Sequence, residues 1–144
     1  MKKINLLVVL ICMSFSSCTS SKPVMKSASL EGTWELNYIT GPRIAFDGLY
    51  PNKKPTIVFD LKENKIAGNN SCNQYFGTLM VNNDKINFKD AKMGMTMMAC
   101  EGNGDSLYMD TLTKIESYTI TDEGKSLNFL TGNVLMMRFT HQKK

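Results

Sequence analysis

The chain has 144 residues, 42% hydrophobic and 21% charged, which gives room for one domain around one core and excludes a disordered or fibrous protein. Without Lys2 and Lys3, which belong to the export signal described next, the 17 basic residues become 15 against 13 acidic ones, a net charge of +2. No basic run exceeds Lys53-Lys54 or Lys143-Lys144 and no basic stripe is interleaved with aromatics, so no nucleic-acid partner is expected.

The first eighteen residues, MKKINLLVVLICMSFSSC, have the layout of a bacterial export signal: two lysines, an apolar run from Ile4 to Phe15, then small residues before Cys18. The apolar run is too short to span a bilayer, which needs about 20 residues. Two cleavage readings compete. Ser14-Phe15-Ser16 suits an ordinary signal peptidase and leaves Cys18 as a free thiol, whereas Phe15-Ser16-Ser17-Cys18 resembles the lipobox of bacterial lipoproteins, with Phe15 where Leu is usual. The second uses Cys18 as a lipidated N-terminus, discards Cys12 and leaves an even pair, Cys72 and Cys100. The expected organisation is therefore a signal over 1–17, a lipid-anchored tether over 18–29 and a domain over 30–144. The Ser- and Lys-rich tether has a mean span of about 20 Å. The expected location is the cell envelope, and Thr19 after the anchor resembles outer-membrane sorting.

From Leu30 the pattern has period two. Strands are predicted at Thr33–Tyr38, Thr56–Leu61 (Ile57, Phe59 and Leu61 on one face), Lys65–Ala67, Gln74–Val81, Lys85–Phe88 and Ala91–Met98, then at Ser117–Thr121, Ser126–Leu130 and Val134–Thr140. Turn-formers such as Asn82-Asn83-Asp84 and Gly132-Asn133 separate them. One helix is predicted over Asp105–Ile115, capped by Asn103 or Asp105. A single helix between two blocks of strands favours an antiparallel sheet or barrel over a βαβ fold. The long connection Thr40–Lys54 is the candidate binding loop, with Arg43, Phe46, Asp47 and Tyr50 as its candidate contacts; a simple capping insertion is the alternative.

For Cys72, catalysis would need a base within reach, and the chain has one histidine, His141, near its C-terminus. The two remaining cysteines lack the paired short spacings of a zinc site. In an oxidising compartment Cys72 and Cys100 are most simply a disulfide, worth about 3.5 kcal/mol for a loop of this size. Met93, Met95, Met97 and Met98 admit two readings: a strand whose methionines fill the interior, which is the expectation taken here, or a soft Cu(I) site. Asp47 and Asp60 give no basis for a hydrolytic carboxylate pair. No catalytic residue, cofactor or metal is expected.

Gly32-Thr33-Trp34-Glu35-Leu36, then Gly68 through Asn73-Gln74-Tyr75-Phe76-Gly77, then Thr96-Met97-Met98-Ala99-Cys100 ahead of the helix, together resemble the META domain, the HslJ-like family of small bacterial envelope proteins. The resemblance runs from Leu30 to about Thr140. It implies a curled antiparallel β-barrel-like sheet, lipocalin-like in outline, with one helix packed on it. It further implies no catalytic activity and an envelope or stress-response role, and that the cysteines of the CN and AC motifs sit where a disulfide can form. Asp105 stands where the family's helix often opens with Glu, and Gly102-Asn103-Gly104 loosens the approach. Taken together with the lipobox reading, the expectation is a monomer held to the membrane by its lipid that binds an envelope protein or a small ligand.

Overall fold

A computed structural model of the chain describes residues 29–143. The export signal, Cys18 and all of the tether except Ser29 lie outside the described residues. In chain order the elements are β1 (Gly32–Ile39), α1 (Phe46–Leu49), β2 (Thr56–Asp60), β3 (Lys65–Asn69), β4 (Gln74–Thr78), β5 (Val81–Asn82) and β6 (Lys85–Ile86). They continue with β7 (Gly94–Met95), α2 (Gly104–Leu112), β8 (Ser117–Thr121), a 3-10 turn at Asp122–Gly124, β9 (Ser126–Thr131) and β10 (Val134–Gln142).

The strands form one sheet in the order β5-β6-β8-β9-β10-β1-β2-β3-β4-β7, every pairing antiparallel. Short turns join the paired strands β2–β3, β3–β4, β5–β6, β8–β9 and β9–β10, while the long Thr40–Lys54 connection joins β1 to β2 and β10 lies between β9 and β1. The sheet curls into a half-barrel because its central strands carry bulges. Against β10, β1 slips register between Leu36 and Tyr38, so that Trp34, Leu36 and then Ile39 point inward. Against β9, β10 slips between Leu135 and Met137, and Met137 and Phe139 are buried. Each extra residue bends its strand and raises the local twist.

Helix α2 lies against the core with Tyr108, Thr111 and Leu112 buried. The Tyr108 ring meets Phe139 edge-on at 6.5 Å and Tyr75 at 5.9 Å, and Phe129 meets Phe139 at 5.1 Å and Phe88 at 5.3 Å. Such tilted aromatic contacts add to the apolar burial that holds helix to sheet. The buried polar tips are satisfied: the Trp34 indole donates to the Leu30 carbonyl at 2.8 Å, and the Tyr75 and Tyr108 hydroxyls share a hydrogen bond of 2.7 Å.

The mainly-β, antiparallel, one-long-helix reading of the sequence is the observed fold. Four local expectations are corrected. Gln74–Val81 is two strands, because Leu79 turns into the core and Leu79 and Met80 turn the chain away from β4. Leu61 lies beyond the end of β2 and is exposed, unlike Ile57 and Phe59. Helix α2 starts at Gly104 and stops at Leu112; Asn103 occupies the cap position without a side-chain hydrogen bond. The predicted strand Ala91–Met98 survives only as Gly94–Met95, and its methionines do not fill the interior: Met93 is half-buried against the core, while Met95, Met97 and Met98 are exposed. The cause is position. β7 is an edge strand, and after the Thr96 N–H bond to the Gln74 carbonyl the chain is held by side chains instead of a ladder, so the inward–outward alternation ends there.

Candidate functional site

Two regions hold most of the residues that the sequence singles out, and a third emerges only from the structure. The first is the turn Asn69–Asn73 with the segment Thr96–Cys100. Asn70 and Asn73 are almost wholly buried, and Asn70 Oδ1 accepts from the backbone N–H of Asn73 at 2.6 Å and of Cys72 at 3.1 Å. Asn69 Oδ1 accepts from Ser71 N–H at 2.8 Å, supporting Ser71 in a left-handed conformation at φ 90°. Asn73 reaches across: its Oδ1 accepts from Met98 N–H at 2.7 Å and from the Thr96 hydroxyl at 2.9 Å. Short polar side chains that bond nearby backbone are what allow such a turn to be buried.

Cys72 and Cys100 form a disulfide beside this amide, with Cα atoms 5.9 Å apart, so the bridge and Asn73 hold the same segment. Gly68 is required by the same packing, since a Cβ there would meet the Thr56 carbonyl and lie 2.5 Å from the Tyr75 ring and hydroxyl. At the edge itself Phe76 covers its cross-strand partner Gly94. The polar residues of this region are used to hold backbone.

The second region is the loop Thr40–Lys54. Arg43 and Asp47 are exposed, but Tyr50 is buried, its hydroxyl donating to the Gly104 carbonyl at 3.0 Å. Phe46 packs edge-on against Tyr50 at 5.2 Å, with the Lys54 ammonium 5.7 Å from its ring centre. Tyr50 therefore latches the loop to α2. Gly104 does not loosen the helix start: it is buried, and a Cβ on it would stand 2.7 Å from the Leu49 carbonyl and 2.8 Å from the Tyr50 ring.

Two other titratable residues that the sequence singles out, His141 and Asp60, have structural partners. The His141 ring stacks edge-on against Trp34 at 4.6 Å, and Asp60 accepts from Glu63 N–H at 2.9 Å to close the β2–β3 turn. Burial pushes the Tyr75 and Tyr108 hydroxyls well above the usual tyrosine range, desolvation of the phenolate being the main cause for both. Among the described residues no group of three or more His, Cys, Asp or Glu side chains could hold a metal ion, and no helix is long and apolar enough to cross a membrane.

The third region is a cleft of about 870 Å³ between the β5–β6 hairpin and the segment that follows α2. Its floor is Leu79, Ile86 and Ile115, all buried, and its wall carries Met80 and Val81, each about two-fifths exposed at 41% and 38%. Lys85, Lys89 and Lys114 stand on the rim. None of Arg43, Phe46, Asp47 or Tyr50 lines it. The sequence gives little sign of this cleft, because its residues come from separate elements and Met80 and Val81 read as the end of one long strand.

A shallow half-barrel plugged by one helix, with a disulfide-clasped turn at one sheet edge and an open cleft at the other, defines a small β-domain class. The chain belongs to the META domain family, whose model matches residues 28–144. No curated protein matches the chain significantly. Solved structures share the fold. An NMR structure of a protein from Burkholderia xenovorans is 20% identical at a TM-score of 0.62, with 79% of this chain and 83% of that one covered. Another protein solved by NMR is 19% identical at 0.55, covering 78% and 90%. A crystal structure of a duf4847 family protein from Bacteroides vulgatus is 14% identical at 0.52, covering 80% and 95%.

Proposed function

We propose that this protein is a lipid-anchored cell-envelope protein whose META domain is a non-catalytic binding module, with a ligand held in the cleft between β5–β6 and the segment after α2. The observation that carries this reading is the cleft: apolar surface at Met80 and Val81 is left bare beside a buried floor, in a volume within the range of small-molecule sites. The envelope location rests on the export signal and on Cys18 as the lipidated residue, and a role in envelope stress response rests on the family.

Intact-mass analysis of membrane-extracted protein tests the anchor, a diacylated Cys18 being the expected product. The binding module is tested by amide NMR of the 18–144 chain carrying Cys18→Ser, titrated with a lipid and small-molecule extract of cell envelopes. Shifts confined to the cleft are expected, and an unchanged spectrum overturns the reading.

The exposure of Met95, Met97 and Met98 favours a second reading, Cu(I) handling at the β7 edge, since thioethers are soft ligands. Asn70 Nδ2 donates to the Met95 sulfur at 3.3 Å, which ranks this reading below the first. Competition with a Cu(I) chelator tests it; sub-micromolar binding lost in a Met95/Met97/Met98→Leu variant would reverse the order.

A further inference from the structure

We infer that the cleft takes a single-chain anionic amphiphile of the fatty-carboxylate class, its tail on the Leu79–Ile86–Ile115 floor and its carboxylate among Lys85, Lys89 and Lys114. This deepens the binding-module reading and rests on it.

The charge distribution around the cleft carries the argument. Lys85, Lys89 and Lys114 all line the cleft and are exposed, and like most lysines among the described residues they have no carboxylate within ion-pairing distance; what sets the cleft apart is three cations against a single carboxylate in its lining. The one carboxylate that lines the cleft, Glu116, accepts from the Gly132 N–H at 2.8 Å and is thereby tied to the β9–β10 turn. Thr131 donates its hydroxyl to the Lys114 carbonyl at 2.6 Å, which fixes the backbone carrying one of the lysines. The Ile86 N–H bonds the Glu116 carbonyl at 3.1 Å, and Tyr118 holds the hairpin tip through Asn83 and Asp84, so the two walls are built as one unit.

The apolar floor of Leu79, Ile86 and Ile115 alone would accept any oily molecule. Three cations at one rim select a molecule with negative charge at the end of its apolar part. Lysine also suits a carboxylate at varied depth, because its ammonium is a mobile point charge on a flexible stem. A small anion without a tail would leave the floor wet, and a cationic amphiphile would place like charges together.

The test uses the 18–144 chain carrying Cys18→Ser, with binding followed by cleft amide shifts and by calorimetry at low ionic strength. Dodecanoate is expected to bind and to perturb Ile86, Ile115 and Lys114. Affinity should rise about two- to fourfold per added methylene from decanoate to tetradecanoate. Dodecyltrimethylammonium should bind at least tenfold more weakly, and acetate should not perturb the cleft.

Lys85/Lys89/Lys114→Gln should weaken dodecanoate binding about tenfold, while Lys62/Lys65/Lys125→Gln should not change it; matched melting curves for both variants show that folding is intact. Equal binding of the cationic and anionic amphiphiles overturns the proposal and leaves the binding module standing. The proposal also fails if neither amphiphile binds while the envelope extract still shifts the cleft. If the extract too has no effect, both readings fall.

Discussion

At the β4–β7 edge the polar side chains face inward and bond backbone, whereas at the β5–β6 edge they face outward and have no ion partner. Asn69, Asn70 and Asn73 are buried amides whose oxygens accept N–H groups of their own turn or of the segment beyond β7, and a disulfide repeats the same link. Lys85, Lys89 and Lys114 bond no carboxylate within the described residues, and the apolar groups between them are partly bare. The lesson is that the most conspicuous motif in the chain, NNSCN, is a stability device, and that the proposed ligand site lies where side chains have no other bonding role. The comparison is broken if variants of the clasp change ligand binding without changing stability, or if variants of the cleft do the reverse.

The largest effect is expected at Gly68. Gly68→Val drives a side chain into the Thr56 carbonyl and Tyr75, neither of which can yield without breaking the β2–β3–β4 ladder, and should cost about 4 kcal/mol or more. Little folded protein on expression, judged by circular dichroism and a melting curve, is the expected result; a wild-type melt would show that the close approach is not required.

Next is the bridge. Cys100→Ser, or reduction of the native protein, should destabilise the domain by about 3.5 kcal/mol, with amide shifts in the lysine cleft unchanged. Two thiols titrating in the native, unreduced protein would remove the disulfide from the comparison.

Asn73→Ala removes the acceptor of the Met98 N–H and Thr96 hydroxyl and should cost about 2 kcal/mol in denaturant unfolding. Combined with Cys100→Ser it should cost less or more than the sum of the two, because both restrain the same segment; strict additivity would show that they act separately.

The tyrosine pair sharpens the comparison by pH. The hydroxyls of Tyr75 and Tyr108 are raised in the folded state above their ordinary value near 10, so the protonated form is the one the fold favours. Their contribution is fully present below pH 10 and is lost as the pH rises from there toward the folded values. Stability should then fall by about 1.4 kcal/mol per pH unit for each tyrosine that titrates. Denaturant unfolding between pH 8 and pH 11.5 reads the slope, and Tyr75→Phe should make it shallower. The smallest effect is that of Lys85/Lys89/Lys114→Gln on stability, within about 0.5 kcal/mol, although the same variant carries the largest effect on dodecanoate binding.

The fold was legible wherever burial on one face writes alternation into the chain. Trp34 and Leu36, Ile57 and Phe59, Leu127 and Phe129, Met137 and Phe139 are inward pairs at spacing two, and all are buried. It was illegible at sheet edges, where no second layer distinguishes the faces: Met95, Met97 and Met98 keep apolar character without burial. Bulges also defeat a period-two reading, as between Leu36 and Ile39. The cysteine pairing was legible through counting and compartment, since only two thiols remain beyond Cys18. Tyr50 looked like a loop contact because its partner, the Gly104 carbonyl, is distant in sequence and carries no side-chain signal. The cleft escaped for the same reason, Lys114 being placed beside the Lys85–Lys89 stretch only by the β6–β8 pairing.

The central place of β10 fixes a timetable. A chain emerges from its N-terminus, yet Trp34 and Leu36 on β1 have as one neighbour the strand made last, pairing Thr33 with Gln142 and Leu36 with Phe139. β10 is the only strand that joins the β8–β9 and β1–β4 parts of the sheet among the described residues, so without it the two have no ladder between them. A chain shortened before β10 cannot close the sheet, so the domain completes itself only once β10 is available, and a stop even a few residues inside β10 would leave both parts open to pairing with other chains.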